Sequence, residues 1–278
     1  MNLFLTVLLF SSIIPTVSVD TVDPAQFTKV LTPSVSFRAD EASATRSAWV
    51  DSNGWRFLRD PEGRFYYDAP GAAAPLAAAE AFIFGVHATI HTDTAGRQLL
   101  GKMLSFLQRE SGKDLPALVN IGFVDDGSAA SGEFMNLLVR RSLLFRVVKQ
   151  PDPKLDLNVG LGFPGYPKSE AVNPSLLAEK VRGNLTDEKR LLRIYGSELV
   201  VGRLFGNGHT ARLCLINYGA AKAAVNGIRV RILGIYPKVG VVQYDAPNLH
   251  IQDVTTDATG TEFTLPELKT FAIISLSH

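Results

Sequence analysis

The feature that most constrains this chain is a change in the period of its apolar residues near Thr186. Before it, apolar stretches alternate between two periods. "VHATIHT" reads as a strand and "TAGRQLLGKMLSFLQRES" as an amphipathic helix. "ALVNIGFVDD" reads as a buried strand, "SGEFMNLLVRRS" as a helix, and "LLFRVVK" and "LDLNVGLG" as further strands. Strand and helix in alternation predict a parallel sheet with crossover helices. After Thr186 the period falls to two, through "RIYGSELVVGRLF", "TARLCLINYG", "NGIRVRILGIY" and "GTEFTLPELKTFAIISLS". Turn signals at Gly206-Asn207-Gly208, Asn226-Gly227 and Ala258-Thr259-Gly260 separate about six or seven short strands, the pattern of an antiparallel sandwich. The expected fold class is therefore α/β plus all-β, a parallel-sheet domain followed by a small antiparallel β-sandwich.

The flanking segments complete the plan. "WVDSNGWRFLRDPEGRFYYDAP" mixes aromatic residues with turn signals at Asn53-Gly54 and Pro61-Glu62-Gly63, which predicts a short β-hairpin. "GAAAPLAAAEAFIFG" is alanine-rich and predicts a helix that stops at Gly85. "PGYPKSEAVNP" is a connection, and "NPSLLAEKVRGNL" a helix with Asn173 as cap and Pro174 in its first turn. At the N-terminus, Leu3 to Ile14 is apolar, and small residues around Thr16 to Ser18 offer a cleavage point, although no Lys or Arg precedes the run. The expected divisions are 1–19 signal peptide, 20–75 extended segment with aromatic hairpin, 76–170 α/β domain, 171–190 helical connector and 191–278 sandwich. A secreted or periplasmic location follows from the first of these.

Composition excludes several classes. With 28 basic against 27 acidic residues and no basic run, nothing predicts a nucleic-acid partner. No run approaches the length of a stable membrane span. The single cysteine, Cys214, rules out an intramolecular disulfide and a multi-cysteine zinc site, and its strand-like setting predicts a small buried apolar role. There is no nucleophile elbow, P-loop or dinucleotide fingerprint, so no cofactor is expected.

The candidate chemistry lies at strand ends. In open α/β sheets ligands bind beyond the carboxyl ends of strands, where Asp125 and Asp126 would stand. They could act as base, metal ligand or sugar-hydroxyl acceptor; equally they could cap the turn and helix that follow. Asp125, Asp126 and Glu133 are the candidate catalytic residues, and Asp51, Asp68 and Glu80 are further carboxylates from which a glycosidase pair could be drawn. Trp55 and Tyr67, with Asp125 and Asp126, are the candidate ligand contacts, since aromatic rings beside polar groups suit sugars; the same rings could form an aromatic mini-core. His87, Thr89, His91 and Asp93 would share a strand face, but His87 and His91 would lie about 13 Å apart, too far to hold one metal ion on a straight strand. Asn184-Leu185-Thr186 matches a glycosylation sequon, to which no function is attached.

The segment "VNIGFVDDGSAASGEFMNLLVRRSLLFRVV" resembles the glutamine-amidotransferase-like, flavodoxin-type domain that follows the catalytic barrel in microbial beta-galactosidases and related glycoside hydrolases. The stretch from "ARLCLINYG" to "TFAIISL" is similar to the small β-sandwich that ends such enzymes. Over residues 76–278 the resemblance implies a flavodoxin-like sheet followed by a sandwich, and an association with carbohydrate. Two departures limit it. A catalytic barrel needs about 250 residues, and residues 20–75 leave no space for one; working amidotransferases use a cysteine nucleophile, which the α/β region lacks. No catalytic residue carries over, and amidotransferase activity is not expected. The resemblance implies a non-catalytic binding or accessory relative. The alternatives are a glycoside hydrolase using an Asp/Glu pair, and a structural module that forms homo-oligomers.

Overall fold

The computed structural model describes residues 26–36, 48–111 and 115–278; the expected signal peptide lies outside them. The chain runs through β1 (Thr28–Lys29), β2 (Ser34–Ser36), β3 (Trp49–Asp51), α1 (Gly54–Arg59), β4 (Arg64–Asp68), α2 (Ala73–Phe84), β5 (His87–His91) and α3 (Thr94–Glu110). It continues as β6 (Ile121–Val124), α4 (Ala129–Arg140), β7 (Phe145–Val148), β8 (Leu157–Val159) and α5 (Pro174–Lys189). Eight strands follow: β9 (Leu192–Tyr195), β10 (Val200–Gly206), β11 (Thr210–Asn217), β12 (Val225–Leu233), β13 (Lys238–Gln243), β14 (Gln252–Thr256), β15 (Gly260–Leu268) and β16 (Phe271–Ser277).

The α/β half and the sandwich are both present, but the described parallel strands form two three-stranded sheets, ordered β1-β4-β5 and β7-β6-β8. β6 is paired on both edges, by β7 and β8, so it has no edge free for β5. The sandwich consists of two antiparallel sheets, β10-β11-β16-β13 and β14-β15-β12-β9. Its core alternates as period two requires: Leu213, Leu215, Ile228, Val230, Phe263, Leu265 and Ile274 meet between the sheets.

The first sandwich sheet is buried on its other face as well. Val201, Cys214, Ile216, Phe271 and Ile273 pack into the same core as α2 and α3. Phe271 meets Phe82 and Phe106 edge-on at 6.1 and 6.2 Å between ring centroids. Cys214 is buried as expected, and burial pushes its thiol pKa up to about 12. Arg203, also on this face, is buried with its guanidinium carbon 4.9 Å from the centre of the Phe84 ring, and burial pushes its pKa down to about 10. It lines a seam with Phe82, Ile83 and Gly85, at the end of a helix with no basic residue in its own last turn. The negative end of the helix dipole and the aromatic face offset part of the cost of burying that charge.

Two turn expectations are corrected. The Asn53-Gly54 pair opens helix α1 instead of turning a hairpin: β3 pairs antiparallel with β2, and β4 pairs parallel with β1 and β5. The Asn53 carbonyl accepts from the N–H groups of Arg56 and Phe57. Glycine is required at 54 by close approach, since a Cβ there would lie 2.1 Å from the Phe84 ring. Asn226-Gly227 lies inside β12; Gly227, with φ of 65°, falls in the stretch facing Pro266, which has no N–H to offer a ladder. The helix stop at Gly85 is as expected, with φ of 67° and its N–H bonded back to the last turn of α2. Asn173 occupies the N-cap position of α5, but its side chain makes no capping bond.

Helix α2 is enclosed along nearly its whole length, and its one charged residue, Glu80, is fully buried. Its Oε1 accepts from the Asn53 N–H at 2.7 Å and the Tyr218 hydroxyl at 2.6 Å, with Ser52 Oγ at 2.9 Å. Oε2 accepts from the Tyr67 hydroxyl at 2.7 Å and Asn53 Nδ2 at 2.9 Å. Ser52 Oγ and the Tyr218 hydroxyl are themselves 2.9 Å apart; two hydroxyl protons serve these three contacts, so two are bonds at any instant. Burial, and then the charge of Glu80, raise both tyrosine pKa values well above the ordinary phenol range. Tyr218→Phe removes one donor to a charged group and should cost about 1.5–3 kcal/mol. Glu80→Ala should cost more, because it leaves the neutral buried donors of Asn53, Tyr67 and Tyr218 without their acceptor, at about 1–3 kcal/mol for each one left unsatisfied. Urea unfolding midpoints measure both, and a Tyr218→Phe midpoint equal to wild type would show that this contact does not hold the layers together.

Candidate functional site

Asp125 and Asp126 stand directly beyond the carboxyl end of β6, where ligands usually bind in such sheets. Helix α1 lies across this end against α4, and Arg59 reaches Asp125. Arg59 Nη2 donates to Asp125 Oδ1 at 2.9 Å and to the Ser128 carbonyl at 3.0 Å. Its Nε stands 2.7 Å from Oδ2 yet lacks hydrogen-bond alignment, so the pair is one hydrogen bond plus a close charge contact. Asp125 also accepts from the Gly127 N–H at 3.1 Å.

Asp126 accepts from the Ser128 N–H at 3.0 Å and the Ser131 hydroxyl at 2.7 Å, with Lys168 Nζ at 3.4 Å. Ser128 is the N-cap of α4 and accepts from the Ser131 N–H. Asp126 thus braces the cap from outside, and hydrogen bonds involving Ser128 and Ser131 hold its carboxyl far below the usual range. Glu133, one turn into α4, accepts weakly from Asn136 through Oε2 at 3.4 Å; its Oε1 is buried with no partner among the described residues.

The two candidate aromatic contacts fare differently. Trp55 is half-buried against α4 at Gly132, with the guanidinium carbons of Arg56 and Arg59 4.3 and 5.0 Å from its ring centre. Tyr67, a candidate either for a ligand contact or for an aromatic mini-core, is fully buried and committed to Glu80, so no ligand meets it without opening the core. Thus the structure gathers Trp55, Asp125, Asp126 and Glu133 around one end of α4 and places Tyr67 elsewhere. Arg59 escaped the sequence reading, being 66 residues from its partner with no local pattern to mark it.

The remaining candidates are also engaged. Asp51 accepts from the Ser34 and Ser36 hydroxyls, and Asp68 lies 3.0 Å from His91 Nδ1. His87 and His91 are exposed at opposite ends of β5, and Asp93 caps α3 by accepting from the Gly96 N–H at 2.6 Å. Among the described residues no three His, Cys, Asp or Glu side chains are placed to share a metal ion. No described helix is long and apolar enough to cross a membrane. Asn184 Nδ2 of the sequon donates to the Tyr166 hydroxyl at 2.8 Å.

Two consequences are measurable. A Cβ at Gly132 would sit 2.6 Å from the Trp55 ring, whereas one at Gly101 in α3 would meet nothing within 4 Å. Overpacking costs about 1–3 kcal/mol and the helix gains about 1 kcal/mol from Gly→Ala. Gly132→Ala should therefore lower the thermal midpoint and Gly101→Ala raise it. The second concerns acid. Because the Asp126 pKa is depressed in the folded state, its stabilisation is complete above the unfolded value and is lost as pH falls toward the folded one. Between about pH 5 and pH 3, wild type should lose stability more steeply than Asp126→Asn. Parallel curves would assign the carboxylate no such role.

By sequence, the chain matches no protein-family model and no curated protein. By shape it is similar to alpha-L-fucosidase isoenzyme 2 from Paenibacillus thiaminolyticus, with a TM-score of 0.57 at 9% identity, over 78% of this chain and 60% of that one. A beta-galactosidase from Rahnella sp. aligns over 81% of this chain and 61% of its own, with a TM-score of 0.37 and 9% identity. An endoxylanase from Clostridium papyrosolvens aligns over 81% and 60%, with a TM-score of 0.23 and 12% identity. The chain spans about 60% of the fucosidase's length. These structural neighbours are glycoside hydrolases, and the fold shared with the fucosidase is a mixed α/β structure with parallel and antiparallel sheets.

Proposed function

We propose that this chain is an exported, carbohydrate-associated accessory or binding protein without hydrolytic activity of its own. The observation that carries the reading is the engagement of the candidate carboxylates: Asp125 is held by Arg59, Asp126 braces a helix cap, and Glu80 is enclosed by Tyr67 and Tyr218. A glycosidase needs two carboxyl groups about 5–10 Å apart across an open sugar cleft. A carboxylate committed to a structural partner is poorly suited to that work. The fold likeness to a fucosidase supports the carbohydrate part. The apolar N-terminal stretch supports export, and the α4 crossover between parallel β6 and β7 supports an amidotransferase-like, flavodoxin-type layout.

Glu133, whose Oε1 retains unused acceptor capacity, is the residue on which a hydrolase reading would rest. A panel of neutral and acidic oligosaccharides, assayed for binding by calorimetry and for release of reducing ends, separates the two. We expect at least one glycan class to bind with no release of reducing ends, and Glu133→Gln to leave binding intact. Turnover that disappears in Glu133→Gln would replace this proposal with the hydrolase, and failure to bind any glycan would remove the carbohydrate association.

A further inference from the structure

Where α4 and α5 meet β9 and β10, a cleft of about 420 Å³ opens to solvent. Its volume is within the range of small-molecule sites, about 300–1,000 Å³. Four arginines line it, at 140, 141, 182 and 190, against two glutamates, Glu179 and Glu198. The excess of positive charge is concentrated. Burial lowers the pKa of both Arg141 and Arg190, and the charge of Arg182 acts on each in the same direction. Arg182 therefore stands close enough to both Arg141 and Arg190 for its charge to be felt at each, an arrangement that an anion between them would relieve.

The cationic side chains are not equally satisfied. Arg141 is oriented by the Ser175 carbonyl and hydroxyl at 3.2 and 2.9 Å, with Glu179 at 3.4 Å. Arg190 retains 9% of its exposure and bonds Asp187 through Nη1, but its Nε is buried with no partner among the described residues. Arg182 is exposed and makes no hydrogen bond or ion pair among the described residues. Ser175, in the first turn of α5, also lines the cleft, and that helix start has no side-chain cap, so the positive end of its dipole adds to the field. Tyr195, 42% exposed, supplies an uncovered aromatic side chain on the wall.

We propose that this cleft binds an anionic saccharide, with Arg141, Arg182 and Arg190 receiving a carboxylate or sulfate group and Tyr195 stacking on the sugar ring. Guanidinium groups match both anions through paired N–H donors. The inference rests on the carbohydrate association proposed above and adds the ligand class and the site.

The test is calorimetric titration of the full chain with four probes: an oligogalacturonide, a sulfated oligosaccharide, a neutral oligosaccharide of equal length, and inorganic sulfate. Arg182→Ala and Tyr195→Ala are compared with Lys102→Ala, which removes one exposed charge from α3, outside the lining of the cleft. At least one of the acidic oligosaccharides should bind, at least about tenfold more weakly in Arg182→Ala, with Lys102→Ala unchanged and Tyr195→Ala weakened; the stronger of the two identifies carboxylate or sulfate as the anion. Equal losses in Arg182→Ala and Lys102→Ala would mean general charge attraction and overturn the site. Inorganic sulfate binding as tightly as either oligosaccharide, with Tyr195→Ala without effect, would reduce it to a bare anion site. Preference for the neutral oligosaccharide would overturn the anionic assignment while leaving carbohydrate association standing; binding of none of the saccharides would end both.

Discussion

Glu80 ties together, by hydrogen bonds, parts of the chain that also share one apolar core. Its carboxylate collects donors from the β3–α1 junction, from β4 and from the residue after β11, while Asn53 also bonds the backbone of Leu31 in both directions. The helix that carries it is almost wholly alanine and larger apolar residues, so it has no face that prefers water and must be enclosed. A carboxylate on such a helix is costly to bury unless donors converge on it. Once they do, it fixes the N-terminal segment, β4 and the end of β11 against α2.

The rest of the architecture follows from that enclosure. The sheet β10-β11-β16-β13 serves two cores at once, the sandwich interior on one face and α2 with α3 on the other. Small side chains along α2 permit close approach, and at its end Phe84 comes so near Gly54 that no side chain fits there. Helix α1 is thereby placed across the strand ends, where Arg59 reaches Asp125 and Trp55 settles against Gly132. At the carboxyl end of β6, Asp125 is thus engaged by the chain itself. The open cationic space lies instead at the junction of α4, α5 and the sandwich.

Much of this was legible from local pattern. The alternating periods located β5, α3, β6, α4, β7 and β8, the alanine-rich stretch and Gly85 marked α2, and the turn at Gly206-Asn207-Gly208 separates β10 from β11. Local pattern misled where a residue type has two uses. Asn53-Gly54 and Asn226-Gly227 both carry turn chemistry, yet one starts a helix against an aromatic ring and the other lies within a strand. Local pattern leaves Tyr67 open between sugar platform and core, because a tyrosine beside polar residues looks the same whether it faces solvent or a buried acid. The lone Glu80 in an apolar helix was the available signal for the second case.

The sequence by itself determined the mix of parallel α/β and antiparallel sheets, the elements from α2 to β8, the small buried role of Cys214 and the strand-end position of Asp125 and Asp126. These depend on period, propensity and residue type over short spans. Only the tertiary structure decided the partners: Arg59 for Asp125 across 66 residues, Tyr218 for Glu80 across 138, and the gathering of arginines from α4, α5 and the connection into β9 around one cleft. Pairing of charges and donors is a property of three-dimensional proximity, which depends on how buried layers stack, and no local spacing along the chain encodes it.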